Sequence, residues 1–248
     1  MIQLNMANDT PQVSDEKISN DAKIWVKNNK KILIEKFCSL NDHPPSKKPF
    51  IIFMAGSPGA GKTEFSKSII PILQKRDPDH TIVRIDVDEI RCLIPQYNGK
   101  NSSQIQSAAS LGVEKIFDYV QDHNQNVIID STFAHYEKVE SDIKRAMARN
   151  RDIGIFYLYQ DPLIAWDFTK KRERVDGRYV PKDVFIDAFF KSKENVNLIK
   201  QKYKNKIEIS LIKGNFEKGL EKTYFNIDNI DSYLKIDYNT DILQEILK

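Results

Sequence analysis

From residue 50 onward the chain alternates short apolar runs with longer amphipathic ones. That is the pattern of an α/β fold on a mainly parallel sheet, whose strands are buried on both faces and joined by helices. The apolar runs predict strands at 49–54, 81–85, 126–129, 153–159 and 207–212. Apolar residues at near-helical spacing predict helices at 62–75, 102–121, 136–150, 163–173 and 181–202. Ahead of this array, Ile18, Trp25, Val26, Ile32, Leu33, Ile34 and Phe37 follow Ser14, a good N-cap, and predict one helix over 14–40 with one face on the core. Pro44 and Pro45 end it, because consecutive prolines remove donors and forbid helical continuation. The first dozen residues are polar and read as a frayed end. Beyond Lys213 the pattern weakens to a short strand at 223–228 and a capped helix at 241–248. The expected division is a tail with an accessory helix (1–47), a core (48–214) and a small C-terminal extension (215–248).

The first apolar run leads straight into Gly56, Ser57, Pro58, Gly59, Ala60, Gly61, Lys62 and Thr63, a complete G-x-x-x-x-G-K-[ST] phosphate loop, or Walker A motif, and a helix pattern leaves it. The chemistry needs these residue types. Glycines let consecutive N–H groups wrap phosphate oxygens, and the helix N-terminus adds its positive end. Lys62 is placed to bridge the β- and γ-phosphates, and Thr63 to offer its hydroxyl to Mg²⁺. Kinases, ATPases and GTPases share the loop, so the reaction class must come from other residues. The nearest approach to a guanine signature, Asn205-Lys206-Ile207-Glu208, has the wrong acid, which argues against GTP.

Two more strands end in acids. In open α/β sheets ligands bind beyond the carboxyl ends of the strands, so these acids should face the phosphate loop. The second strand runs into Asp86, Val87, Asp88, Glu89, Ile90 and Arg91. If it gives way to a helix at Asp88, that carboxylate and Arg91 lie one turn apart on one face. Asp88 is then the candidate base for a substrate hydroxyl, with Arg91 holding the acceptor or a phosphate. The third strand ends in Asp130, Ser131 and Thr132: Asp130 is the candidate carboxylate for Mg²⁺, with Asp86 assisting, and Thr132 a candidate for the acceptor pocket. From the end of the helix at 163–173 to the start of the next at 181 run Arg172, Arg174 and Arg178 with Gly177 as a hinge, a basic segment suited to closing over nucleotide phosphates.

Composition adds limits rather than a partner. The 248 residues are 40% hydrophobic and 29% charged, and 38 Lys and Arg against 35 Asp and Glu leave +3, too balanced for a dedicated nucleic-acid binder. Cys38 and Cys92 lie far apart and outside any CxxC pattern, and His43, His80, His123 and His135 lack metal-ligand spacing. A reducing, cytoplasmic setting is therefore expected, without disulfide framework or zinc cluster. The longest apolar run, near 50–55, is far short of a membrane span, and no secretory pattern opens the chain.

In order, the phosphate loop, Ile85-Asp86-Val87-Asp88, the Ile-Ile-Asp-Ser-Thr strand end and the arginine segment resemble the zeta toxin family of P-loop kinases over roughly residues 48–214. The resemblance implies an ATP- and Mg²⁺-dependent small-molecule kinase, since the family is best known for phosphorylating UDP-N-acetylglucosamine on the sugar and for pairing with a small antitoxin. Lys62 matches the family's phosphate-loop lysine and Asp88 its catalytic base. Arg172 and Arg178 match its two nucleotide-facing arginines, and Thr132 the threonine of its Glu-Gly-Thr. Where the family places a glutamate for the amino sugar, this chain has Gln104 and Gln106 near Ser107. It also has Asp130-Ser131 in place of Glu-Gly, a shorter segment between the arginines, and Pro95 near where His-Pro usually follows the base.

The resulting expectation is a P-loop kinase-like open sheet flanked by helices, with Lys62, Asp88, Arg172 and Arg178 catalytic. Thr63, Asp130 and Asp86 are expected at the metal, and Asp88, Arg91, Thr132 and Gln104 at the acceptor. A polynucleotide or nucleoside kinase, following a backbone with the lysine-rich helix at 181–202, is one alternative. A nucleotide-dependent binding module without acceptor phosphorylation is the other.

Overall fold

In the computed structural model the described residues are 14–76, 81–215 and 219–248, so the polar start of the chain and His80 lie outside them. The first helix, α1 (Asp15–Asn28), is capped by Ser14, whose hydroxyl accepts from the Lys17 N–H at 3.3 Å. The single helix predicted over 14–40 is two, because α2 (Lys30–Cys38) starts afresh after Asn29. There φ is −111° and ψ 28°, and the Asn29 side-chain amide donates to Trp25 O at 2.8 Å. A side chain that competes for the helix's own carbonyls favours such a break.

The alternating array follows in the expected order: β1 (Phe50–Ala55), α3 (Lys62–Arg76), β2 (Ile82–Asp86), the short α4 (Val87–Arg91), α5 (Ser102–Asp122), β3 (Asn126–Asp130), α6 (Tyr136–Met147), β4 (Asp152–Tyr159), α7 (Pro162–Asp176), α8 (Lys182–Tyr203) and β5 (Glu208–Asn215). The late strand is β6 (Gly219–Tyr224), four residues ahead of its predicted start. The last helix is α9 (Thr240–Ile246), capped by Asn239 rather than begun at Asp241.

The sheet order is β2-β3-β1-β4-β5-β6, with all pairs parallel except β5 with β6. Alternation along β1 sends Ile51, Phe53 and Ala55 into a large core shared with α1, α2, α5, α6 and α8, and Ile52 and Met54 into a smaller one under α3. A third cluster joins α7, α8 and α9 through Trp166, Phe185, Phe189 and Leu243. Because β1 lies between β3 and β4, the chain changes direction beside it, and the crevice this creates opens at the carboxyl ends of β1, β2 and β3. Among the described residues no helix is long and apolar enough to cross a membrane.

Candidate active site

The phosphate loop wraps the start of α3 at that crevice. Gly59 has φ +73°, and a Cβ there would lie 2.0 Å from Ala165 O, so only glycine lets the loop seat against α7. Lys62, 8% exposed, donates from Nζ to Gly56 O at 3.0 Å and Ser57 O at 2.7 Å. Burial lowers its pKa to about 8, with Asp130 opposing the shift and Arg178 and Arg172 reinforcing it.

Asp130 ends β3 in register with Asp86 at the end of β2. Its carboxylate takes a hydrogen bond from the Thr63 side chain and one from Ser66 Oγ at 3.4 Å. Burial raises its pKa, against the pull of the Lys62 ammonium. One hydroxyl and one carboxylate are hard oxygen donors of the kind Mg²⁺ uses when phosphates and water complete its shell. Among the described residues no cluster of three His, Cys, Asp or Glu is arranged as a protein-only cage. The residues present fit Mg²⁺ held largely by nucleotide. Asp86 is nearby but engaged: Oδ1 accepts the Asp88 N–H at 2.8 Å as the α4 cap, and Oδ2 pairs with Arg84 at 2.9 Å.

Asp88, on the first turn of α4, is enclosed by arginines. Arg91 Nη1 reaches its Oδ1 at 2.6 Å, realising the one-turn spacing of the sequence. On Oδ2 it meets Arg178 Nη1, and Arg172 Nη2 at 3.5 Å. Burial presses the Arg178 guanidinium below its ordinary value, opposed first by Asp88. Lys62, Thr63, Asp86, Asp88, Arg91, Asp130, Arg172 and Arg178 therefore form one cluster.

Two acceptor candidates sit differently. Thr132 is beside the phosphate loop, its backbone carbonyl accepting from Gly56 N at 3.2 Å, with its side chain half-buried. Gln104 is not in the cluster: its Nε2 donates to Asp15 Oδ1 at 2.6 Å, at the start of α1. Two residues along a helix are turned through about 200°, and it is Gln106 that accepts from Arg91 Nη2 at 2.6 Å.

Sequence reasoning missed Arg84, Ser66 and Asn195. The first two carried a faint signal, a lone arginine inside an apolar strand and a serine one turn after Thr63. Asn195, on the apolar face of α8, donates to Phe133 O at 3.0 Å and Ala134 O at 2.9 Å. It pins the loop after Asp130, where Phe133 holds a left-handed φ of +64° that a bulky residue rarely adopts. As a whole the cluster can bind a polyphosphate and take a proton from a hydroxyl.

A family model described as zeta toxin matches residues 36–227. The solved structures that share the fold include the following two. One is of the PezAT chromosomal toxin–antitoxin system of Streptococcus pneumoniae, 19% identical with a TM-score of 0.60, where the match covers 93% of this chain and 90% of that one. The other, AvrRxo1-ORF1:-ORF2 with ATP, is 15% identical with a TM-score of 0.56, covering 85% of this chain and 64% of that one. No curated protein matches.

Proposed function

The chain belongs to the zeta toxin family, and from that premise we propose that it is a cytoplasmic, ATP- and Mg²⁺-dependent kinase. It would phosphorylate a hydroxyl of a nucleotide-containing metabolite such as a UDP-activated amino sugar. One observation carries the reading: Asp88, on the first turn of α4 just past β2, meets Arg172 and Arg178 beside a phosphate loop.

ATP with Mg²⁺ supplies the transferable γ-phosphoryl group and offsets its charge. The chain's part is placement and charge. Gly56 to Thr63 present N–H groups and the α3 N-terminus to the phosphates. Lys62, Arg172 and Arg178 neutralise charge that builds on the transferred group. Thr63 and Asp130 hold the metal, with Asp86 behind them. Asp88 takes the acceptor's proton, and Arg91, steadied by Gln106, lines the acceptor side with Thr132. Residues 48–214 are the proposed catalytic core. The toxin–antitoxin assembly named for one structural neighbour supports an antitoxin-like protein partner.

Incubation with ATP and a metabolite extract, followed by mass spectrometry for a new phosphorylated species, tests the reading. The wild type should yield one. Asp88→Asn should lower its formation about 10²–10⁴-fold while still binding ADP. A wild type that binds ATP and phosphorylates nothing would leave the binding-module alternative.

A further inference from the structure

Position 84 is where the apolar pattern of β2 calls for another aliphatic side chain. Val83 and Ile85 are fully buried in the large core, and Ile82 packs in the cluster under α3. Alternation puts residue 84 on the Ile82 face, and the residue there is an arginine whose side chain is only 9% exposed. Both terminal nitrogens of its fork are engaged. Nη1 donates to Asp86 Oδ2 at 2.9 Å and to Asp130 Oδ2 at 3.3 Å, and Nη2 pairs with Glu89 Oε1.

These three carboxylates belong to different parts of the site. Asp130 stands against Thr63 and Ser66 on the nucleotide side. Asp86 caps α4 through the Asp88 N–H, and Glu89 is the next residue on that turn. A buried ion cluster is a poor way to gain stability, since apolar residues of similar volume usually serve as well. What a planar fork adds is orientation.

We propose that Arg84 is a positioning residue that locks Asp130, beside the phosphate loop, to the first turn of α4, which carries Asp88. It thereby aligns the nucleotide half of the site with the acceptor half. This rests on the kinase reading above, with Asp88 as base. Among the described residues the Arg84 guanidinium pairs with carboxylates and with no residue of the phosphate loop, so its effect should fall on the transfer step more than on ground-state nucleotide binding. Lysine keeps the charge but is a single point, unable to span three carboxylates.

The test compares the full-length wild type, Arg84→Met and Arg84→Lys. ADP affinity is measured by calorimetry with and without Mg²⁺, and backbone hydrogen exchange is followed across α4. ADP release from Mg²⁺·ATP is measured with UDP-N-acetylglucosamine as trial acceptor and water as default. Both variants should bind ADP within about threefold of the wild type while kcat falls about 10²-fold, the cost of a misplacement near 1 Å. Exchange across α4 should accelerate in both, and lysine should not restore turnover. Turnover near the wild-type rate in either folded variant would overturn the role, as would turnover and ADP affinity falling together in step with stability. If Arg84→Met does not fold, Arg84→Lys decides alone. A wild type that releases no ADP with UDP-N-acetylglucosamine, water or the metabolite extract would remove the kinase reading and this role with it, an outcome distinct from an active wild type matched by its variants.

Discussion

An ammonium enclosed as Lys62 is should reveal itself through pH. Its value in the folded chain is about 8, against an ordinary 10.5, with burial as the main cause. Between those values the unfolded chain holds more protons at this group, so its contribution makes stability rise with pH. The penalty is present in full below about pH 8 and gone above about pH 10.5. Lys62→Met removes it. In nucleotide-free urea titrations the advantage of that variant should therefore shrink by about 2–3 kcal/mol between pH 7 and 10. A constant gap would mean that the ammonium is not desolvated. The convergence of this residue with Thr63, Asp88 and Asp130 was legible in the sequence because the phosphate-loop pattern fixes residue types and positions at the loop and just past the strand ends. Arg84 was not, since an arginine inside an apolar strand shows its partners only once β2 and β3 are paired. Nor was the place of Gln104 against α1, since identity near a motif does not say which helix face a residue occupies.

Turns and caps show the same contrast. Gly177, read as a hinge from its place between arginines, is the left-handed cap of α7 at φ +66°, its N–H donating to Glu173 O. A Cβ there would lie 1.7 Å from Gly99 O, in the connection between α4 and α5. Gly177→Ala must therefore open that backbone contact as well as strain φ, at about 1–3 kcal/mol. Arg178 follows immediately and meets Asp88, so turnover should fall while ADP binding at the phosphate loop persists. Unchanged turnover would show that the cap does not set the position of Arg178. The loop after β3 makes a parallel case. Asn195→Ala leaves Phe133 O and Ala134 O without their donor, at about 1–3 kcal/mol, and chemical denaturation should show the loss. Wild-type stability in that variant would mean the loop holds its φ of +64° unaided. Long buried elements were legible because periodicity over many residues outweighs local noise. The break at Asn29 and the displaced β6 were not, since one side-chain bond decides the first and an edge strand carries little apolar pattern.

At the scale of the molecule, the C-terminal segment lies at the root of the segment that carries Arg172 and Arg178. Leu243 and Leu247 join Ala165, Trp166, Phe185, Ile186 and Phe189 in one cluster, tying α9 to α7 and α8, which flank Arg178. Polar contacts reinforce it: Trp166 Nε1 donates to Lys248 O at 2.6 Å, and Lys182 Nζ to Gln244 O and Leu247 O, each at 3.0 Å. Tyr238 donates to Asp161 Oδ2, the α7 N-cap, at 3.0 Å. The sequence offered too little to foresee this docking. In a seven-residue helix whose Ile242 and Ile246 remain 40% and 38% exposed, the apolar pattern does not say which face is covered or by what. Leu243→Ala should cost about 2–5 kcal/mol if the cluster cannot collapse around the cavity. The effect should be centred there, because this cluster has its own buried residues and meets the large sheet core through the half-buried Tyr159 and Ile236. Hydrogen exchange should rise through α7 and the first turns of α8 while β1, β3 and β4 stay protected. Turnover should fall through Arg172 and Arg178, with ADP affinity less affected than kcat. Exchange rising equally across the sheet would mean instead that α9 stabilises the whole fold and has no particular hold on the segment that carries Arg178.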